Sequence, residues 1–135
     1  VLVRDNTFET PGAAILIEGD SNYWFESGAT RHIVIEGNRF HHCAYVSAWG
    51  KAPIQVSPSA LVWEKDRRYH QYLEVRGNVF QCCDDRLVNA VNLKKLVFLD
   101  NKIERTTVFE PIKGQALELD GVLEVETDIN KEQQI

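Results

Sequence analysis

IVIEGNRF (Ile33 to Phe40) is the stretch whose reading decides the fold: a short apolar strand, then Gly37, Asn38, one polar residue and an apolar one. The same arrangement recurs in VLVRDNTF (Val1 to Phe8), LEVRGNVF (Leu73 to Phe80) and LVFLDNKI (Leu96 to Ile103). In each case a strand ends on Gly or Asp followed by Asn. Asn tolerates the left-handed turn conformation, and its side-chain amide can bond an equivalent amide in the neighbouring turn. Asn6, Asn38, Asn78 and Asn101 are therefore expected to stack as a ladder. The repetition predicts an all-β fold, a right-handed parallel β-helix (solenoid) of about five coils, the hand following from the preferred sense of parallel crossovers. Its inward row would contain Val3, Phe8, Ile15, Ile17, Ile35, Phe40, Val75, Phe80, Val88, Val97 and Leu119.

The intervals between these asparagines are unequal. A minimal coil takes roughly 20 to 30 residues, which the Asn78 to Asn101 interval matches, so the longer intervals must carry insertions. One is GDSNYWFESGATRH (Gly19 to His32); the other runs from Trp49 to Tyr72. All three tryptophans fall within them, and loops on a rigid scaffold are where binding chemistry concentrates.

The composition is that of one folded domain: 135 residues, 44% hydrophobic and 26% charged. A net charge of -5 argues against nucleic acid, which calls for a clustered basic surface. The nearest approach to such a surface, Lys65, Arg67 and Arg68, is interleaved with Glu64 and Asp66. No apolar run reaches the roughly 20 residues of a membrane span. The chain lacks Met and opens directly on a strand, which reads as a piece of something longer with an N-terminal coil open to self-association. Residues 1–129 are expected to form the β-helix, closed by a last pair of strands in ALELDGVLEVETDI (Ala116 to Ile129), with 130–135 a polar tail.

Three cysteines leave at least one thiol without an intrachain partner. Cys43 and Cys83 each lie five residues after a ladder Asn and would stack, either as small core residues or as a disulfide. A metal site from His41, His42, Cys43, Cys82 and Cys83 is disfavoured, because adjacent residues of an extended chain point in opposite directions. The sequence gives no indication of any cofactor.

Acid chemistry is best placed near Pro11 to Ala29. Glu18 and Asp20 would project from one side of a strand, with Cα atoms roughly 6 to 7 Å apart by strand rise. Paired carboxyl groups carry glycoside hydrolysis, and inverting enzymes hold theirs about 6.5 to 9.5 Å apart so that water fits beside the sugar. Exposed strand carboxylates are also commonly just solvated. Tyr23, Trp24 and Glu26 combine aromatic faces with a carboxylate, a combination suited to a sugar ring, although the loop could instead cover an apolar face. Trp49 and Lys51, in WGKAPI, would form the opposite wall.

GAAILIEGDSNYWFESGA, followed by HIVIEGNRFHHC and WGKAPI, resembles the C-terminal coils of the β-helix α-1,3-galactosidases, glycoside hydrolase family 110. The resemblance covers most of residues 1 to 110. It implies an inverting, exo-acting hydrolase of secreted or periplasmic setting, whose partner is a galactose-terminated glycan. In that family the acid and base are aspartates of an Asp-Asp-Gly type segment on earlier coils; Asp84 and Asp85 here are followed by Arg86 and do not match. The resemblance thus implies a share in the sugar-binding wall and, without those aspartates, no hydrolysis. Two alternatives stay open: a non-catalytic carbohydrate-binding or adhesion solenoid, and a structural stack whose open end self-associates. A calcium-dependent lyase fits less well, for want of an acidic cluster beside a basic catalytic side chain.

Overall fold

The structure, a computed structural model, describes residues 1–19, 28–59 and 63–129. Its strands in chain order are β1 (Leu2–Arg4), β2 (Thr7–Thr10), β3 (Ile15–Ile17), β4 (Ile33–Glu36), β5 (Arg39–Cys43), β6 (Ile54–Val56), β7 (His70–Arg76), β8 (Val79–Cys82), β9 (Val88–Leu99), β10 (Lys102–Arg105) and β11 (Leu117–Thr127). Among the described residues helical structure is confined to a single 3-10 turn, Ser47–Trp49.

Every strand pairing is parallel, and the strands gather into two sheets. The larger has seven strands in the order β1-β4-β7-β9-β6-β3, with β11 also on β9; the smaller has four, β10-β8-β5-β2. This corrects the expected right-handed β-helix of about five coils: the chain is all-β, but it does not form the uniform solenoid that the repeat suggested. The reason lies in β9, a continuous strand of 12 residues. Its first part pairs with β6 and the remainder with β7, while β11 follows it along most of its length. Strands that a uniform repeat would keep apart are thereby fused into one sheet. The expected final pair of strands is likewise one strand, β11, bent where Gly121 adopts φ 67°.

At the corners joining the two sheets, the residue in the left-handed conformation is the one before each Asn: Asp5 (φ 58°), Gly37 (65°), Gly77 (66°) and Asp100 (57°). The asparagines, relieved of that role, point their amides along the stack. Asn38 Oδ1 accepts from Asn6 N at 2.9 Å and Asn6 Nδ2 at 3.2 Å, and Asn38 Nδ2 donates to Val3 O and to Asn78 Oδ1. Asn78 repeats the pattern, donating to Ile35 O and to Asn101 Oδ1. Asn38 and Asn78 are each 1% exposed, so these bonds satisfy groups that water does not reach.

The core lies between the sheets. Phe8, Phe40 and Phe80 stack with centroids 5.3 and 4.8 Å apart, and Phe98 closes the row at 5.9 Å from Phe80. Full burial of each such ring is worth about 1.5 to 3 kcal/mol. Ile17, Ile35, Val75 and Val88 are buried in the same cluster, with Val3, Phe8, Ile15 and Leu119 packed at its margin. Val97 departs from the expected inward row. Strand alternation gives the inward positions to Leu96 and Phe98, and Val97 is buried on the other face, in register with Glu74 and Glu126.

Candidate functional site

Two close backbone approaches shape the cleft that holds Trp49. A Cβ at Gly12 would stand 2.6 Å from Trp49 O, and one at Gly50 would strike the backbone of Ala13, so only glycine lets these segments pack. Val46 N donates to Pro11 O at 3.0 Å and Ala44 N to Gly12 O at 2.8 Å, fixing the turn Ser47–Trp49 beside the start of β3. Gln55, on β6, accepts from Lys51 N through Oε1 at 2.9 Å and donates from Nε2 to Ser57 Oγ. The result is an open cleft of about 260 Å³ lined by Leu16, Ser47, Trp49, Lys51 and Gln55 among others. Trp49 is 66% exposed and Leu16 50%, unusual for residues of this size in a packed sheet protein.

The structure thus brings Trp49 and Lys51 together with Leu16 and Gln55, which sequence reasoning had not singled out. Leu16 and Gln55 are direct neighbours in the β3–β6 register. The signal was present, since outward residues of adjacent parallel strands share a face, but the pairing of β3 with β6 skips two strands in sequence and had to be seen. Glu18 follows β3 on the same outward phase as Leu16, is exposed, and stands outside the cleft lining. Asp20, Tyr23, Trp24 and Glu26 lie outside the described residues.

Asp84 and Asp85 are committed elsewhere. Arg86 donates from Nε and Nη2 to the Asp84 carboxylate, the shorter contact 2.6 Å, with both side chains almost fully buried. The bonds to Asp84 hold the guanidinium pKa above its ordinary value, against the effect of burial. Asp85 takes a 2.6 Å contact from Arg105 Nη1. Both carboxylates serve to anchor the turn after β8.

The extended alternation expected across His41, His42 and Cys43 fails at His42, which adopts φ 53°, with a register shift between β2 and β5 at Phe8/Thr10. One residue is absorbed in the bulge, so His41 and His42 bring their rings to 4.1 Å of each other. His41 Nδ1 lies 3.6 Å from Glu9 Oε2 and His42 Nε2 3.0 Å from Thr106 Oγ1. Burial and the neighbouring His41 hold His42 below its usual pKa, partly opposed by Glu9.

The same bulge changes the cysteine stack. Cys43 and Cys82 face the core, rather than Cys43 and Cys83, and burial pushes their thiols up to about 11 and about 12. Cys83 turns outward of that cluster, its Sγ 3.0 Å from Thr106 Oγ1 and accepting from Phe109 N. All three are free thiols, so the disulfide alternative falls.

No helix among the described residues is long and apolar enough to cross a membrane. No protein-family model matches the chain. Among curated proteins it is similar to α-1,3-galactosidase A of Bacteroides fragilis, 36% identical over 115 residues, which are 84% of this chain and 19% of that protein. It is similar also to α-1,3-galactosidase B of Bacteroides thetaiotaomicron, 33% identical over 113 residues, 82% of this chain and 18% of that one. With α-1,3-galactosidase B of Akkermansia muciniphila it shares 34% identity over 106 residues, 76% and 13% of the two chains. The chain spans at most about a fifth of the length of these relatives. Over that span the chain belongs to the α-1,3-galactosidase family and is a glycosidase-related domain.

Proposed function

We propose that this chain supplies part of the glycan-binding wall of a glycosidase that removes terminal α-1,3-linked galactose with inversion, acting in a secreted or periplasmic setting. The observation that carries the reading is the cleft in which the exposed Trp49 ring meets Lys51 and Gln55 in a member of this family. An aromatic ring packs on the apolar C–H face of a sugar, while amide and ammonium groups bond its hydroxyls. Glu18, beside that wall in sequence, and Asp20, Tyr23, Trp24 and Glu26 after it would extend the contact.

Inverting hydrolysis needs one carboxylic acid to protonate the leaving glycosidic oxygen and one carboxylate to take a proton from the water attacking the opposite face of the anomeric carbon. We assign both to aspartates in the part of the longer family members that this chain does not span. Asp84 and Asp85 are held by Arg86 and Arg105 and are poor candidates. The test is to incubate the chain with an α-1,3-linked galactose disaccharide while titrating galactose by calorimetry. Binding without release supports the assignment. Galactose release that Glu18→Gln or Asp20→Asn abolishes would place the acid and base within this chain and overturn it. Absence of both binding and release would reject the wall itself.

A further inference from the structure

We propose that Glu9, His41 and His42 form a binding site for a divalent transition-metal ion of the zinc type, on the outward face of the four-stranded sheet and independent of the glycan cleft. One donor atom from each residue lies within 4.8 Å of the others. Zinc bonds of about 2.0 to 2.2 Å in tetrahedral geometry bring donors to roughly 3.4 Å from each other. The remaining closure is within reach of Glu9, whose side chain is 68% exposed and already stands 3.6 Å from His41 Nδ1.

Three features point to a ligand rather than to a chance surface cluster. Two successive histidines share one side of the strand only because His42, a non-glycine residue, is held at φ 53°, a conformation that L side chains rarely adopt. Thr106 Oγ1, itself 3.0 Å from Cys83 Sγ, lies 3.0 Å from His42 Nε2 and holds the ring in place, as outer-shell partners hold metal-bound imidazoles. Phe109 packs edge-on against the His42 ring at 5.7 Å, with Tyr45 stacked on Phe109 at 3.9 Å, so the ring has little room to swing away.

Two imidazoles and a carboxylate select Zn²⁺, Co²⁺, Ni²⁺ or Cu²⁺ over Ca²⁺ and Mg²⁺, which require oxygen ligands. Three protein ligands leave the fourth position to water. Because Glu9 lies on β2 and the histidines on β5, a bound ion would clasp the two strands and stabilise the folded state by mass action.

The experiment uses tag-free chain stripped with chelator, titrated with Zn²⁺ by calorimetry and with Co²⁺ by visible absorption. The expected result is one equivalent of Zn²⁺ and a thermal midpoint that rises with added Zn²⁺. His41→Ala and Glu9→Gln should each weaken binding at least about tenfold, the least that the loss of even an outer-shell partner typically costs. His42→Asn tolerates the left-handed backbone and should do the same while remaining folded. Midpoints of the metal-free variants within a few degrees of the parent show that the loss is local; His41→Gln replaces any variant that fails to fold. Binding of equal strength in all variants, a stoichiometry well below one, or a midpoint indifferent to Zn²⁺ would overturn the proposal and leave the pair a packing feature.

Discussion

Where the two sheets meet, Asn38 and Asn78 are each 1% exposed and bonded on both amide atoms; beside β3, Trp49 is 66% exposed and lines an open cleft. Both regions hang on glycines, used differently. Gly37 and Gly77 supply left-handed turns, whereas Gly12 and Gly50 supply bare space for two segments to touch. The corner repeats one local bonding pattern and gains stability from each copy. The cleft is built once, from residues far apart in sequence, and leaves an aromatic face open. On the function proposed above, the difference separates what holds the fold from what is offered to a ligand.

The largest expected effect falls on the corner. Asn78→Ala removes partners from Asn38 N, Ile35 O and Asn101 Oδ1 in a water-free row, and should cost about 2 to 3 kcal/mol in denaturant unfolding. Asn6→Ala, at the exposed end of the same row, should cost about 0.5 to 1 kcal/mol. Equal losses at the two positions would mean that burial does not set the value of the ladder.

A smaller effect should appear with pH. His70, at the start of β7, is 1% exposed; its Nδ1 accepts from Thr30 N at 3.1 Å and lies 2.8 Å from Thr30 Oγ1. Among the described residues Nε2 has no partner in hydrogen-bond geometry, though the Glu18 backbone lies near enough to oppose the effect of burial. Burial depresses the pKa below 6.5, so as pH falls through that value the unfolded chain takes up a proton that the folded chain refuses. Stability is therefore fully present above about pH 6.5 and declines below it, by at most about 1.4 kcal/mol per pH unit. Unfolding curves between pH 7 and 5 check this, and His70→Gln should flatten the slope; a slope unchanged by the substitution would assign the decline to other groups.

How much of this was legible follows the same division. The ladder could be read from Gly-Asn and Asp-Asn steps because turn chemistry is local, although the left-handed residue proved to be the one before Asn. The fusion of strands into two sheets could not, since it depends on β9 running unbroken from Val88 to Leu99 and pairing with both β6 and β7. Trp49 and Lys51 could be placed together from WGKAPI and do line one cleft, but Leu16 and Gln55 needed the β3–β6 register. The Glu9, His41 and His42 cluster escaped because one residue at φ 53° reverses the alternation on which the extended-chain argument relied.

The smallest expected stability effect is also the most direct test. Galactose affinity and thermal midpoint would be measured on the same samples of the parent chain, Trp49→Ala and Asn78→Ala, all at a temperature where each is folded. The predicted result is that Trp49→Ala changes stability by no more than about 0.5 kcal/mol and loses most of the galactose binding, while Asn78→Ala loses stability and, when folded, binds as the parent does. Binding that survives Trp49→Ala, or a Trp49→Ala chain that unfolds as readily as Asn78→Ala, would contradict the separation of scaffold from ligand surface.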